Sequence, residues 1–259
     1  MSYYSPMRLT FILLAIAIPG FAQDPQADQQ TEHARRLFYG FRVEAFPLKL
    51  FQTGSATDST TKPIADYSYT SGSSSQKAAP VASVIYVLNR RLTINGEFFL
   101  HHAKYTQTAV IRTGKKDTNS STDVRPTITQ IETTRANYWV VPVMVQYHRI
   151  PVYKGSWRTR LLSHAYVAGG IEYRHVGRVR TGTDITNADG TTDYNEIAAT
   201  PSRRNQIGAV LGIGLRFIDD IGIRITPEIR VVHWQGSTFE GPGYRSIPNQ
   251  AEAGIGFNF

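Results

Sequence analysis

The sequence has no cysteine, and beyond its first two dozen residues no apolar run approaches the roughly 18 residues that a membrane helix requires. The first absence excludes a disulfide framework and lipid attachment through a lipobox cysteine. The second leaves strands as the only means of embedding the rest of the chain in a membrane. A polar tail after the last strand is also missing, because the chain stops on "NQAEAGIGFNF". Termini fray unless something ties them down, so this ending reads as a strand edge cut to length. Ala251, Ala253, Ile255, Phe257 and Phe259 share one face of that strand, while Gln250, Glu252, Gly254, Gly256 and Asn258 share the other.

The 259 residues are 41% hydrophobic, ample for a folded core in one or two domains. At the start, "MSYYSPMRLTFILLAIAIPGFAQD" carries Arg8, an apolar run from Leu9 to Ile18, a Pro19-Gly20 break, and small residues Gly20 and Ala22 before Gln23. This layout predicts a signal peptide over 1–22, followed by a flexible periplasmic lead over 23–36. The formal charge is +8, or +7 once Arg8 leaves with the leader. Such an excess is ordinary for a solvated surface, and its placement decides whether it means more.

From residue 37 onward, period-2 segments alternate with Gly/Ser/Thr/Asn/Asp-rich connections. Strands are predicted near Phe38 to Leu48, Val81 to Leu88, Leu92 to Ile111, Ile128 to Tyr147, Leu161 to Val176, Asn205 to Phe217, Ile221 to Trp234 and Gln250 to Phe259. Connections after Leu88, Tyr147 and Phe217 are short. Those over Phe51 to Pro80, Thr113 to Thr127, Gly177 to Arg204 and Gln235 to Asn249 are long and polar. Eight strands with tight turns at one end and extended loops at the other predict an all-β, antiparallel, up-and-down transmembrane β-barrel over 37–259.

Alternation alone does not say which face is outside, since a soluble barrel has the same rhythm with its apolar face inward. The kind of polar residue decides. One face carries Arg42, Glu44, Glu97, Glu172, Arg174, Arg216, Arg224, Glu228, Arg230 and Glu252, but no lysine; the lysines fall in loops or at strand ends. A water-bathed face normally includes Lys, whereas a confined interior favours the planar Arg fork opposite carboxylates. Glycines on the same face, such as Gly170, Gly208, Gly214 and Gly254, suit a crowded lumen. Trp139 and Tyr147, eight residues apart on the apolar face, match an interfacial aromatic pair. Pro142 and Pro227, each inside a strand, put the local register in question.

Four stretches carry a resemblance: "NYWVVPVMVQYHRI", "HAYVAGGIEYRH", "GAVLGIGLRFID" with "GIRITPEIRVVHW", and "AGIGFNF". In order and spacing this half of the chain, from Asn137 on, resembles the small Gram-negative outer-membrane β-barrel family, the OmpA-type or "porin family" barrel domain. The resemblance implies an outer-membrane location. It also implies that the last strand, through Ala251, Ala253, Ile255, Phe257 and Phe259, is read by the outer-membrane assembly machinery.

No catalytic constellation emerges. Ser163 and His164, and likewise His101 and His102, are chain neighbours that point to opposite sides of a strand, so neither pair converges on a substrate or a metal. "ITNADGTTDYNE" places Asn187, Asp189, Gly190 and Glu196 at calcium-loop positions, but Ile185 stands where Asp is needed, and an Asp-Gly hairpin turn explains it better. Neither a cofactor nor a metal is expected. Loop residues Lys115, Lys116, Arg125, Arg178, Arg180, Arg203, Arg204 and Arg245 could meet lipopolysaccharide phosphates, or could be ordinary solvated charge. Scattered over loops, they do not form a nucleic-acid footprint. The expectation is therefore a non-enzymatic outer-membrane protein with a charge-filled lumen and four extracellular loops, serving envelope integrity or surface contact. The alternative is a narrow porin-like channel for small solutes.

Overall fold

Side chains that alternate in polarity every second residue can satisfy both faces only as strands, and strand backbone must find partners on both edges or leave donors and acceptors open. The computed structural model describes residues 36–61, 64–116, 123, 125–149, 157–197, 199–219 and 221–259, so the predicted leader and most of the lead lie outside the described residues. Eight main strands carry the fold: β1 (Leu37–Ala45), β2 (Ala78–Val87), β3 (Leu92–Thr113), β4 (Thr127–His148), β5 (Ala165–Thr186), β6 (Asn205–Leu215), β7 (Arg224–Trp234) and β8 (Asn249–Asn258). All pair antiparallel. Each pairs with its chain neighbour, and β8 pairs with β1 through Phe41↔Phe257 and Val43↔Ile255, so the hydrogen-bonded path returns to its start.

Both prolines are accommodated without a register shift. On β3 the ladder to β4 runs to Gly96↔Val143 and resumes at Phe99↔Val140, leaving unpaired the step that Pro142 occupies. Likewise β7 pairs with β6 at Gly214↔Glu228, its ladder resumes at Phe217↔Ile225, and Pro227 keeps its place opposite Ile255 of β8. A missing N–H thus removes a rung on one side only. The irregularity lies elsewhere, in a bulge between Ala136 and Tyr138 of β4 against β5.

Three expectations about elements are corrected. Leu161 does not start a strand: Trp157–Ser163 form a short helix, α1, and β5 begins at Ala165 and runs on to Thr186 instead of ending at Val176. Three of the long polar connections are themselves extended. Ser55–Thr61 pairs with Ile64–Ser73, which continues the upper edge of β3, and Thr192–Ile197 folds back on the end of β5. A small second sheet joins Glu240–Gly241, Tyr244–Ser246 and Phe51–Thr53. Thr and Tyr support strands without an apolar face when both sides are polar, so an alternation rule passes over them. Lys104, expected at a strand end, lies within β3.

Candidate functional site

The site is the interior of the eight-stranded path, with the outward face that surrounds it. Arg42 and Glu44 come from β1, Glu97 from β3, Glu228 and Arg230 from β7 and Glu252 from β8, and each is essentially excluded from solvent. Arg230 is the hub. Its Nε donates to Glu252 Oε2 at 2.6 Å, its Nη1 to Glu97 Oε2 at 2.8 Å and its Nη2 to Glu44 Oε2 at 3.2 Å. Arg42 lies beside it, 2.5 Å from Glu44 Oε2, 3.4 Å from Glu228 Oε2 and 3.5 Å from Glu97 Oε1. Tyr166 OH donates to Glu228 Oε2 at 2.5 Å, and Asn95 Nδ2 to Glu97 Oε1 at 2.8 Å. Only a guanidinium, with five donors in a fixed plane, reaches carboxylates from several strands at once.

Close backbone approach makes room for this layer. A Cβ on Gly254 would lie 2.5 Å from both Arg42 Nε and Glu44 Oε2, and one on Gly170 only 2.1 Å from the carbonyl oxygen of Val143. Glycine is therefore required at both positions.

Of the other predicted lumen charges, Glu172, Arg174 and Arg224 are buried but arranged differently. Arg174 is stacked, its guanidinium carbon 4.0 Å from the Trp234 ring centroid and 4.9 Å from that of Tyr138, while its Nη2 donates to Gln206 and to Thr238 Oγ1, the latter at 3.1 Å. Arg224 lies 3.5 Å over the Phe38 ring. Glu172 is buried, and its Oε2 has no hydrogen-bond partner among the described residues. Arg216 stands past the end of β6, half-buried, its backbone joined to His164: the Arg216 N–H donates to the His164 carbonyl at 2.9 Å, and His164 Nδ1 lies 3.0 Å from the Arg216 carbonyl.

Toward the long-loop end lies an aromatic layer that alternation did not reveal. Phe51, Tyr105, Phe239 and Tyr244 pack ring on ring at centroid distances of 4.5 to 6.3 Å. Phe239 and Tyr244 arrive on the segment between β7 and β8, and that segment is fastened inside by Gln107 Nε2 donating to the Pro242 carbonyl at 2.5 Å. The available signal was "TFEGPGYRS", whose glycines permit a tight reversal: Gly243 has φ +77°, and Gly241 leaves the space that the Tyr244 ring occupies.

Outside, the polarity is the reverse. Tyr39, Phe41 and Val43 on β1, Val143 and Val145 on β4, Val167 and Ile171 on β5, Leu211 and Ile213 on β6 and Ile229 on β7 are all exposed, Leu211 and Ile213 to 67% and 64%. Trp139 and Tyr147 lie on this face, about 26 Å apart along β4 at roughly 3.3 Å per residue. In β8, Ile255 is exposed and Ala251, Ala253 and Phe257 partly so, with Phe257 stacked on Phe41 at 5.3 Å, and Phe259, one residue past the strand, is exposed as well.

The weighed chemical candidates remain apart. Ser163 closes α1 rather than sitting on a strand with His164. His101 is buried and stacked on Phe46 at 4.1 Å, while His102 faces outward. Asn187, Asp189 and Gly190 form a tight turn, with the Gly190 N–H donating to the Asn187 carbonyl at 3.0 Å, and Glu196 lies in the strand beyond it. Among the described residues no group of three His, Asp or Glu side chains could hold a metal ion.

No protein-family model matches the chain, and no curated protein matches it significantly. Solved structures similar to it include the outer membrane protein AlkL in lipid bilayers, at 11% identity and TM-score 0.39, covering 86% of each chain. A second is Ail, the attachment invasion locus protein of Yersinia pestis, at 9% identity and TM-score 0.29, covering 87% of this chain and all of that one. A third is the translocator domain of the autotransporter NalP from Neisseria meningitidis, at 9% identity and TM-score 0.21, covering 91% and 96%. Likenesses of this degree transfer no function.

Proposed function

We propose that the protein is an eight-stranded outer-membrane β-barrel with a plugged lumen, non-enzymatic, which serves envelope integrity or surface contact through its long-loop end. The observation that carries this reading is the inversion of polarity: rows of Val, Ile, Leu and Phe point outward while Arg42, Glu44, Glu97, Glu228, Arg230 and Glu252 are sealed inside. In water such an arrangement would leave the apolar rows unsatisfied and desolvate ions for nothing. In a bilayer it is the stable choice, because hydrocarbon tolerates only apolar side chains and a sheet without open edges. The partners are outer-membrane lipid, including lipopolysaccharide, around the apolar band, and the assembly machinery at β8. The ionic layer and the aromatic layer above it both occupy the lumen, which favours a plug over the narrow porin-like channel.

Two measurements test the reading. Heat-modifiable gel migration of the membrane fraction is expected to show a fast folded band that shifts on boiling. In planar bilayers the refolded protein is expected to give no large stable conductance steps; such steps would replace the plug with a channel.

A further inference from the structure

On the outward face of β3 and β4, paired residues change character in steps of two. Leu100 lies opposite Trp139, His102 opposite Asn137, and Lys104 opposite Arg135. The apolar pair is exposed, the next pair is polar, with His102 Nδ1 2.7 Å from Asn137 Oδ1, and the third is doubly cationic. Two residues rise about 6.6 Å along a strand, so this ladder crosses from hydrocarbon to headgroup character within about 13 Å.

The cationic rung is anomalous. Arg135 also lies opposite Arg180 on β5, so three like charges stand in a row across three strands. Directly opposed like charges destabilise a sheet. Among the described residues Lys104 and Arg135 make no ion pair, and Arg180 reaches only Glu196, at 3.9 Å.

Beside this rung the chain leaves the outer hairpin through Ser74, Ser75 and Gln76, tied to β3 by Ser74 N–H to the Lys104 carbonyl at 2.9 Å and Gln76 N–H to the His102 carbonyl at 3.0 Å. Between that segment and the rung lies an open cleft of about 430 Å³, bordered by both serines, His102, Lys104, Arg135 and Asn137. Ser74 and Gln76 lie opposite Lys104 and His102 on the outward side, whereas Ser75 lies opposite the buried Ala103 and turns its shielded hydroxyl inward. Among the described residues no carboxylate borders the cleft. Two cations, the Ser74 hydroxyl and the Asn137 amide around one opening are the donor set of a phosphate site.

We infer that the cleft formed by Ser74, Lys104 and Arg135 binds the phosphate monoester of an outer-leaflet lipid headgroup, the bound anion relieving the repulsion between the two cations. The inference deepens the outer-membrane reading and rests on it. The lipid is preferred over a soluble phosphate ester because the cleft stands directly above the exposed Leu100 and Trp139, where an acyl chain would continue along the sheet.

The test uses the full chain inserted into phosphatidylcholine nanodiscs. The discs carry a minor fraction of bisphosphorylated lipid A or of the same lipid with its phosphates removed, and lipid retention is read by native mass spectrometry. Inorganic phosphate is titrated in parallel. Wild type is expected to retain the phosphorylated lipid preferentially. Lys104→Gln with Arg135→Gln is expected to lower that retention at least tenfold, while Arg91→Gln, an exposed basic change on the short turn between β2 and β3, leaves it unchanged. In discs of phosphatidylcholine alone the double variant is expected to unfold at an equal or higher temperature, which separates a lost site from a damaged fold. Retention by the double variant within twofold of wild type overturns the inference. So does equal retention of the dephosphorylated lipid, and so does binding of inorganic phosphate as tight as that of the lipid, which assigns the cleft to soluble esters. Insertion is scored separately by heat-modified migration: failure to insert contradicts the barrel reading itself, and the lipid as occupant with it.

Discussion

Arg230 holds the densest set of charged contacts in the interior, touching Glu44, Glu97 and Glu252 from three different strands. Removing one partner of a buried ionic set leaves the others uncompensated, at about 3–5 kcal/mol. Arg230→Met is expected to destabilise the refolded protein by that order in denaturant unfolding. Arg230→Lys should recover only part of it, because one ammonium on a flexible stem cannot span three carboxylates. A wild-type midpoint for Arg230→Met would mean that the ionic layer is dispensable. A second residue-scale expectation concerns the outer loops. Arg125 bridges Asp66 at 2.6 Å and Asp123 at 2.8 Å, and its hydrogen bonds hold the Asp123 carboxyl down to about 2. A carboxylate depressed in the folded state stabilises above its unfolded pKa, about 3.9 for Asp, and the contribution is lost as pH falls from there towards 2. Protection of the Thr113 amide, which donates to the Pro126 carbonyl, is expected to fall over that window. Arg125→Ala should flatten the dependence, and an unchanged profile would detach the bridge from loop order.

At the scale of elements, close packing of strands on glycine is the most exposed feature. A Cβ at Gly170 meets backbone of β4 rather than a movable side chain, so Gly170→Val is expected to displace β4 from β5 and lower the yield of the heat-modifiable form severalfold. Deleting Phe259 is expected to leave the refolded protein nearly as stable, since the residue is exposed just past the strand end, while reducing outer-membrane accumulation in cells. Equal accumulation would remove the terminal strand as the assembly signal. The eight main strands could be read from alternation because each has a greasy face and a polar one. The extensions over Ser55–Thr61, Ile64–Ser73 and Thr192–Ile197 could not, because both of their faces are mostly polar and the period carries no contrast. Helix α1 was hidden for the opposite reason: the apolar Leu161 and Leu162 imitate a strand start. Within the site, the preference for Arg over Lys pointed to a closed interior. It did not show that Arg174 and Arg224 stack on rings, since the aromatic partners Tyr138, Trp234 and Phe38 come from other strands or other turns of the ladder.

Across the whole molecule, two different fillings share one lumen: an ionic layer built from β1, β3, β7 and β8, and an aromatic layer completed by the hairpin of Glu240–Gly241 and Tyr244–Ser246. Both follow from the same inversion of polarity, which the absence of native cysteine makes directly measurable, since single cysteines can be introduced without background. The decisive experiment labels Val210, Leu211, Gly212 and Ile213, one cysteine at a time, with a nitroxide in the bilayer-reconstituted protein and measures collision with oxygen and with a water-soluble relaxant. Leu211 and Ile213 are expected to show high oxygen and low relaxant accessibility, characteristic of lipid, with Val210 and Gly212 shielded from both. Leu211 and Ile213 shielded while Val210 and Gly212 meet bulk water would contradict the account at its root.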